Sequence, residues 1–170
     1  METRRKNLRL KNYDYAQEGA YYITICTWGR ECLFGNIVNG EMELNGIGWI
    51  VRQEWLRSPM IRPNVQLDEF MIMPNHMHGI IIINERRGEL QFAPTPFRSP
   101  SQTIGAIVRG FKSSTTKQIN VFRNMPNLTV WQRNYYEHII RDQFDLDRIR
   151  GYIADNPKNW ALDEENIIGA

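Results

Sequence analysis

The sequence predicts an α+β domain in the ferredoxin-like, split βαβ order: an antiparallel sheet with helices on one face, followed by a further C-terminal helix. Three observations lead there. Apolar runs of strand length at residues 20–28, 65–73 and 76–84 give way to segments with helical spacing, such as Ile104, Ile107, Val108 and Phe111. Only Pro74 and Asn75 separate the second run from the third, so the two should pair as an antiparallel hairpin. A chain of 170 residues fits one domain with a sizeable core, and no internal repeat divides it.

The elements follow in order. AYYITICTW, residues 20–28, is rich in aromatic and β-branched side chains and reads as a buried strand. In the next stretch Gly35, Gly40, Gly46 and Gly48 punctuate short apolar pieces, which suits a small hairpin. Ile50, Val51 and Trp55 suit a short helix, stopped by Pro59 and Pro63. VQLDEFMIM and HMHGIIIIN are the paired strands. Residues 85–100, with three prolines and little periodicity, read as a flexible loop. Ser101 or Thr103 caps the next helix, whose other face is basic. A fourth strand runs through Tyr135 to Ile140, and Asp142 or Asp145 opens a last helix that Pro157 ends.

Composition excludes some classes. No apolar run approaches the about 20 residues that span a bilayer, and the basic start METRRKNLRLKNYDY lacks the apolar core of a secretory signal. The expected location is the cytoplasm, without a membrane partner, and Cys26 and Cys32 are expected as free thiols. The net charge of +2 conceals an uneven distribution. No acidic residue lies between Glu89 and Glu137, where Arg98, Arg109, Lys112, Lys117, Arg123 and Arg133 fall, and the arm at residues 1–15 adds Arg4, Arg5, Lys6, Arg9 and Lys11. Acid gathers at the end, in Asp163, Glu164 and Glu165. Such a distribution suits a polyanionic partner, and equally a solvated helix face with a basic arm.

The stretch MPNHMHGIIII carries two of three histidines. On a strand, His76 and His78 stand side by side on one face while Met77 points to the other. Two imidazoles so placed can share a metal ion, although two ligands do not define a site and satisfied core histidines show the same pattern. In DRIRGYIADNP, Tyr152 and Asn156 share one helical face four residues apart, offering a phenolic nucleophile and an amide oxygen for a hard cation. A packed aromatic and an asparagine before a helix-stopping proline fit that spacing as well. Tyr135 and Tyr136 are rival nucleophiles, but neither has an amide one turn away. His138, among apolar neighbours, suits a structural role or contact with a phosphate.

PNHMHGIIII resembles the histidine, hydrophobic, histidine motif of the HUH single-strand nucleases, and GYIADNP resembles the nucleophile helix of their single-tyrosine transposases, nearest to the REP-associated (RAYT) branch. RKNLRLKNYDY, GAYYITICTWGRECLFG, IGAIVRGFKSSTTKQIN and WQRNYYEHIIRD extend the likeness over about residues 4–160. The resemblance implies one transposase domain over residues 1–170, with His76, His78 and Asn156 as metal ligands and Tyr152 as nucleophile. Many insertion-sequence relatives carry glutamine where Asn156 stands, so the shorter amide needs a closer helix. It further implies a metal-dependent single-strand DNA endonuclease and transposase that cuts and rejoins DNA near hairpins through a 5′-phosphotyrosine, using Mg²⁺ or Mn²⁺. Arg4, Arg5, Lys6, Arg109, Lys112, Lys117, Arg123 and Arg133 would hold the backbone, Trp131, Tyr135 and Tyr136 would stack on bases, and the protein would act as a homodimer or a monomer. The alternative is a catalytically silent relative that only binds structured DNA or RNA.

Overall fold

The computed structural model describes residues 18–84 and 103–166. The expected arm with Arg4, Arg5 and Lys6, and the expected loop at 85–100, lie outside the described residues. Six strands and four helices follow in the order β1 (Gly19–Cys26), β2 (Gly35–Val38), β3 (Glu41–Leu44), α1 (Gly46–Leu56), α2 (Ser58–Ile61), β4 (Val65–Ile72), β5 (His76–Ile83), α3 (Ile104–Phe122), β6 (Tyr136–Ile140) and α4 (Gln143–Asp155).

β4, β5, β1 and β6 form one sheet in that spatial order, and every neighbouring pair is antiparallel. The Pro74–Asn75 hairpin is present, with Met73 N–H donating to the His76 carbonyl at 2.8 Å. β2 and β3 make the small hairpin through Asn39 and Gly40, both at positive φ, which is the backbone that an Asn-Gly turn supplies. Helix starts follow local chemistry. Asn45 accepts from the N–H groups of Ile47 and Gly48, Thr103 from Ala106, and Asp142 from Asp145. Pro59 differs from expectation: α1 already ends at Leu56, and the proline occupies the first turn of the short α2, where its missing N–H costs nothing.

The alternation of the strands sorts the core into two clusters, one on each face. Tyr21, Ile23, Ile25, Met77 and Ile81 meet Val51, Trp55, Ile107, Phe111 and Trp131 on the face covered by α1 and α3. Trp55 lies directly over Gly79, where a Cβ would stand 2.5 Å from its Cζ2, so the glycine is required by this close approach. Tyr22, Ile80 and Ile140 meet Ile149 and Ile153 of α4 on the opposite face. Helices α1 and α3 therefore share one face as the split βαβ order predicts, and the terminal helix takes the other. β4 carries a register shift between Leu67 and Phe70, so both turn toward the main core.

Candidate metal and nucleophile site

The second face carries the candidate residues. Cross-strand pairing sets Thr24 opposite His78 and Cys26 opposite His76, while β6 places Tyr136 and His138 opposite Thr24 and Tyr22. Both histidines of HMH are buried, and Met77 points into the main core as alternation requires. Their Nε2 atoms lie 2.9 Å apart. Two neighbouring ligands of an octahedral ion, each at about 2.1 Å, are about 3.0 Å apart, so the pair is spaced for one cation.

Each imidazole is oriented from behind. His76 Nδ1 donates to Asn75 Oδ1 at 2.8 Å. The Asn75 amide cannot turn round, because its Nδ2 donates to the carbonyls of Arg30 (3.1 Å) and Glu165 (2.7 Å). A proton of His76 therefore sits on Nδ1, and in the neutral ring Nε2 offers a lone pair. His78 Nδ1 meets two hydroxyls, Tyr22 at 2.8 Å and Thr24 at 2.9 Å, and these are bonded to each other at 3.1 Å. Hydroxyls both donate and accept, so this pair supports the Nδ1–H form that ligation through Nε2 needs. Burial pushes the Tyr22 phenol well above its ordinary pKa, which keeps it neutral in that role.

α4 brings the remaining groups. The Tyr152 ring lies 5.3 Å from His78 and 6.4 Å from Tyr22, and is half exposed. Asn156, one turn on, is buried; its Nδ2 donates to Asp163 Oδ2 at 2.9 Å, and its Oδ1 has no hydrogen-bond partner. A buried carbonyl oxygen left bare costs about 1–3 kcal/mol, and a hard cation would satisfy it. Asp163 Oδ2 also faces His76 Nε2 at 3.8 Å, and the ligand atoms of His76, His78 and Asp163 all lie within 4.8 Å of one another. Two imidazole nitrogens, a carboxylate and an amide oxygen fit an open site for Mg²⁺ or Mn²⁺ better than a closed zinc site.

The segment that carries Asp163 is tied down over the site. Glu165 pairs with Arg30 and accepts from the Cys26 thiol at 3.5 Å, and Arg30 also donates to the Glu164 carbonyl. The Trp160 ring packs 6.0 Å from His76. Burial and the acids Asp163, Glu165 and Glu164 push the Tyr152 phenol above its ordinary value, against a smaller opposing effect of the Asn156 amide.

Of the residues singled out in the sequence, His76, His78, Tyr152 and Asn156 converge. Tyr136 borders them, 39% exposed and 6.1 Å from Tyr22. Tyr135 is on the opposite face, its hydroxyl donating to Glu137 at 2.9 Å. Trp131 does not stack on bases: it is buried between Phe34 and Phe111, its Nε1 donating to Thr115 at 2.8 Å. His138 bonds Asp145 at 2.7 Å. Arg109, Lys117 and Arg133 are exposed and Arg123 half-buried; of these only Arg133 lines the groove of about 530 Å³ between α3 and residues 127–133, together with Lys112. Lys112 is committed, donating to the carbonyls of Gln132 (2.9 Å) and Asn134 (3.0 Å) under the Tyr135 ring. Burial lowers its pKa to about 8.

Sequence reading missed Asp163, Asn75, Tyr22 and Thr24. Asn75 adjoins the motif and Asp163 belongs to the acidic end, but neither neighbour nor charge excess indicates a side chain's target. Cys26 and Cys32 are thiols outside any disulfide, as expected. No helix among the described residues is long and apolar enough to cross a membrane.

No protein-family model matches the chain. An uncharacterised protein of Haemophilus influenzae (strain ATCC 51907 / DSM 11121 / KW20 / Rd) is 48% identical over 167 residues, covering 94% of this chain and 92% of that one. Among solved structures, a REP-associated tyrosine transposase bound to a REP hairpin matches 87% of this chain and 72% of its own, with a TM-score of 0.57 and 19% identity. The chain belongs to one family with the Haemophilus influenzae protein, and its fold is that of the REP-associated tyrosine transposase.

Proposed function

We propose that this protein is a metal-dependent single-strand DNA endonuclease and transposase of the HUH single-tyrosine type, which cuts and rejoins DNA near hairpins through Tyr152. The observation that carries the reading is the meeting, within one chain, of paired Nε2 atoms 2.9 Å apart with a phenol ring 5.3 Å from His78. A second copy is not needed to bring those groups together, which favours a monomer. The fold likeness to a transposase solved with a REP hairpin supports a hairpin-bearing substrate.

His76, His78, Asn156 and Asp163 would hold the cation, Mn²⁺ or Mg²⁺, which when bound offsets charge on the scissile phosphate. The Tyr152 oxygen attacks phosphorus, a bond from phosphorus to the phenolic oxygen forms, the bond to the 3′-oxygen breaks, and the departing oxygen takes up a proton. The products are a 5′-phosphotyrosine and a 3′-hydroxyl, and attack by a 3′-hydroxyl reverses the exchange without ATP. The Asn156 amide favours the phenolate. Arg109, Lys117, Arg123 and Arg133 belong to a stretch of chain without acidic residues and would meet the DNA backbone, so affinity should fall steeply with salt.

The binding-only reading rests on one observation: Asp163, Glu164 and Glu165 lie near the phenol and disfavour its ionisation. One experiment separates the two. Wild type and Tyr152→Phe are incubated with labelled single strands bearing a hairpin, with Mn²⁺ or Mg²⁺, and run on denaturing gels. A covalent species on the 5′ side in wild type alone supports cleavage by Tyr152. An adduct that survives the substitution removes Tyr152 as nucleophile, and hairpin binding without any adduct favours the binding-only protein.

A further inference from the structure

α4 is fastened to the sheet by few apolar side chains: Ile149 and Ile153 are buried, with Leu146 packed beside them. A seam this narrow resists separation better than it resists rolling. The phenolic oxygen stands about 9 Å from the helix axis, so a roll of about 20° carries it about 3 Å. Misplacement of even about 1 Å costs a reacting group about 10²-fold. Something must fix the roll.

Two polar clamps flank the seam. At about 100° per residue, Leu146, Ile149 and Ile153 centre the buried stripe, with Asp145 about 70° to one side and Arg150 about 70° to the other. Toward β6, Asp145 receives His138 at 2.7 Å and Arg148 at 2.6 Å. Toward β4, Arg150 forks onto Asp68, Nε to Oδ1 and Nη2 to Oδ2, both at 2.7 Å. Parallel bonds between two planar groups fix direction as well as distance, which a lysine ammonium does not do.

The aim of Asp68 comes from the β4 irregularity. Leu67 pairs with Ile81 and Phe70 with Gly79, so β4 holds one residue more than β5 across this interval. The extra residue lets Leu67 and Phe70 both serve the main core and leaves Asp68 facing α4, held from behind by Glu69 N–H donating to Oδ1 at 2.8 Å. The guanidinium holds the Asp68 carboxyl below its usual range, so the pair is charged at neutral pH.

We infer that the Asp68–Arg150 fork sets the roll of the tyrosine helix, making Asp68 and Arg150 positioning residues for Tyr152 in strand cleavage. The inference rests on the reading of Tyr152 as nucleophile, and its test separates the two. Wild type, Arg150→Lys, Asp68→Asn and the double variant are compared in single-turnover adduct formation at saturating hairpin strand and Mn²⁺. Hairpin affinity, Mn²⁺ affinity and melting temperature are measured alongside. The full chain is also labelled with 3-fluorotyrosine, the residue 152 resonance being assigned by Tyr152→Phe.

Each single variant is expected to slow adduct formation about tenfold or more, with both affinities within about twofold of wild type. The double variant should be no worse than the poorer single one, and the residue 152 resonance should shift or broaden. A rate and resonance that do not change overturn the inference. So does a rate that falls in step with hairpin affinity, because Arg150 would then be touching DNA. If wild type forms no adduct, the nuclease reading fails, while the fluorine resonance still decides whether the fork positions the phenol.

Discussion

Removing the hydroxyls behind His78 tests whether the imidazole pair is built to ligate. Tyr22 and Thr24 approach Nδ1 at 2.8 and 2.9 Å, so either alone can take the proton that ligation through Nε2 leaves there. Tyr22→Phe and Thr24→Val should each weaken Mn²⁺ binding only a few-fold. The double variant removes both hydroxyl acceptors from a buried N–H, a loss of about 1–3 kcal/mol. That corresponds to about 5–150-fold in affinity, which brackets the about 10–100-fold found when outer partners of metal-bound histidines are removed. The two substitutions should therefore be strongly non-additive, as expected for one shared network. Mn²⁺ titration followed by the electron paramagnetic resonance of free ion, without DNA, measures the affinity, and thermal unfolding checks that the variants fold. Full affinity in the double variant would refute the argument, and a hundredfold loss in Tyr22→Phe alone would refute the redundancy.

Three further outcomes are expected. Asp163→Ala and Asn156→Ala should each weaken Mn²⁺ binding about tenfold in the same titration, since each removes a candidate oxygen donor; unchanged affinity in Asp163→Ala would return the site to the ligand set predicted from sequence. Glu164→Gln should move the alkaline limb of adduct formation to lower pH, because Glu164 is one of the charges raising the Tyr152 phenol and its neutralisation makes the phenolate easier to form. A limb that stays in place or moves upward in a pH profile at saturating Mn²⁺ would contradict that. Gly79→Ala should cost about 1–3 kcal/mol in chemical denaturation, because the new methyl meets a fully buried Trp55 ring hemmed in by Phe111 at 5.4 Å; stability equal to wild type would mean the ring has room to move.

Much of this architecture was legible in the chain because it follows from period and spacing. Alternation in HMHGIIII sends both imidazoles to one face, and two intervening residues leave its neighbour no partner but itself. Tyr152 and Asn156 are one turn apart in any helix. What stayed hidden depends on register and on segments without period. Nothing in AYYITICTW says that Thr24 rather than Ile23 stands opposite His78, since a slip of one residue would exchange the two faces. Asp163 reaches the site from the end of a single 3-10 turn, Trp160–Leu162, after Pro157, and Trp131, an exposed-looking aromatic in a basic stretch, is buried through a bond to Thr115. Local pattern carries no information about such distant partners.

β5 and β1 are the inner strands of the four, whereas Tyr152 rides on an outer helix held mainly at its flanks. The proposed ion-holding half is therefore anchored in what should be the last region to open, and the proposed attacking half in one of the first. Amide hydrogen exchange should resolve them as separate protection classes, slow for residues 76–83 and faster for 143–155. On the proposed reading, a catalyst divided in this way would keep its electrophilic anchor preformed while leaving its nucleophile adjustable, so each could be tuned without dismantling the other.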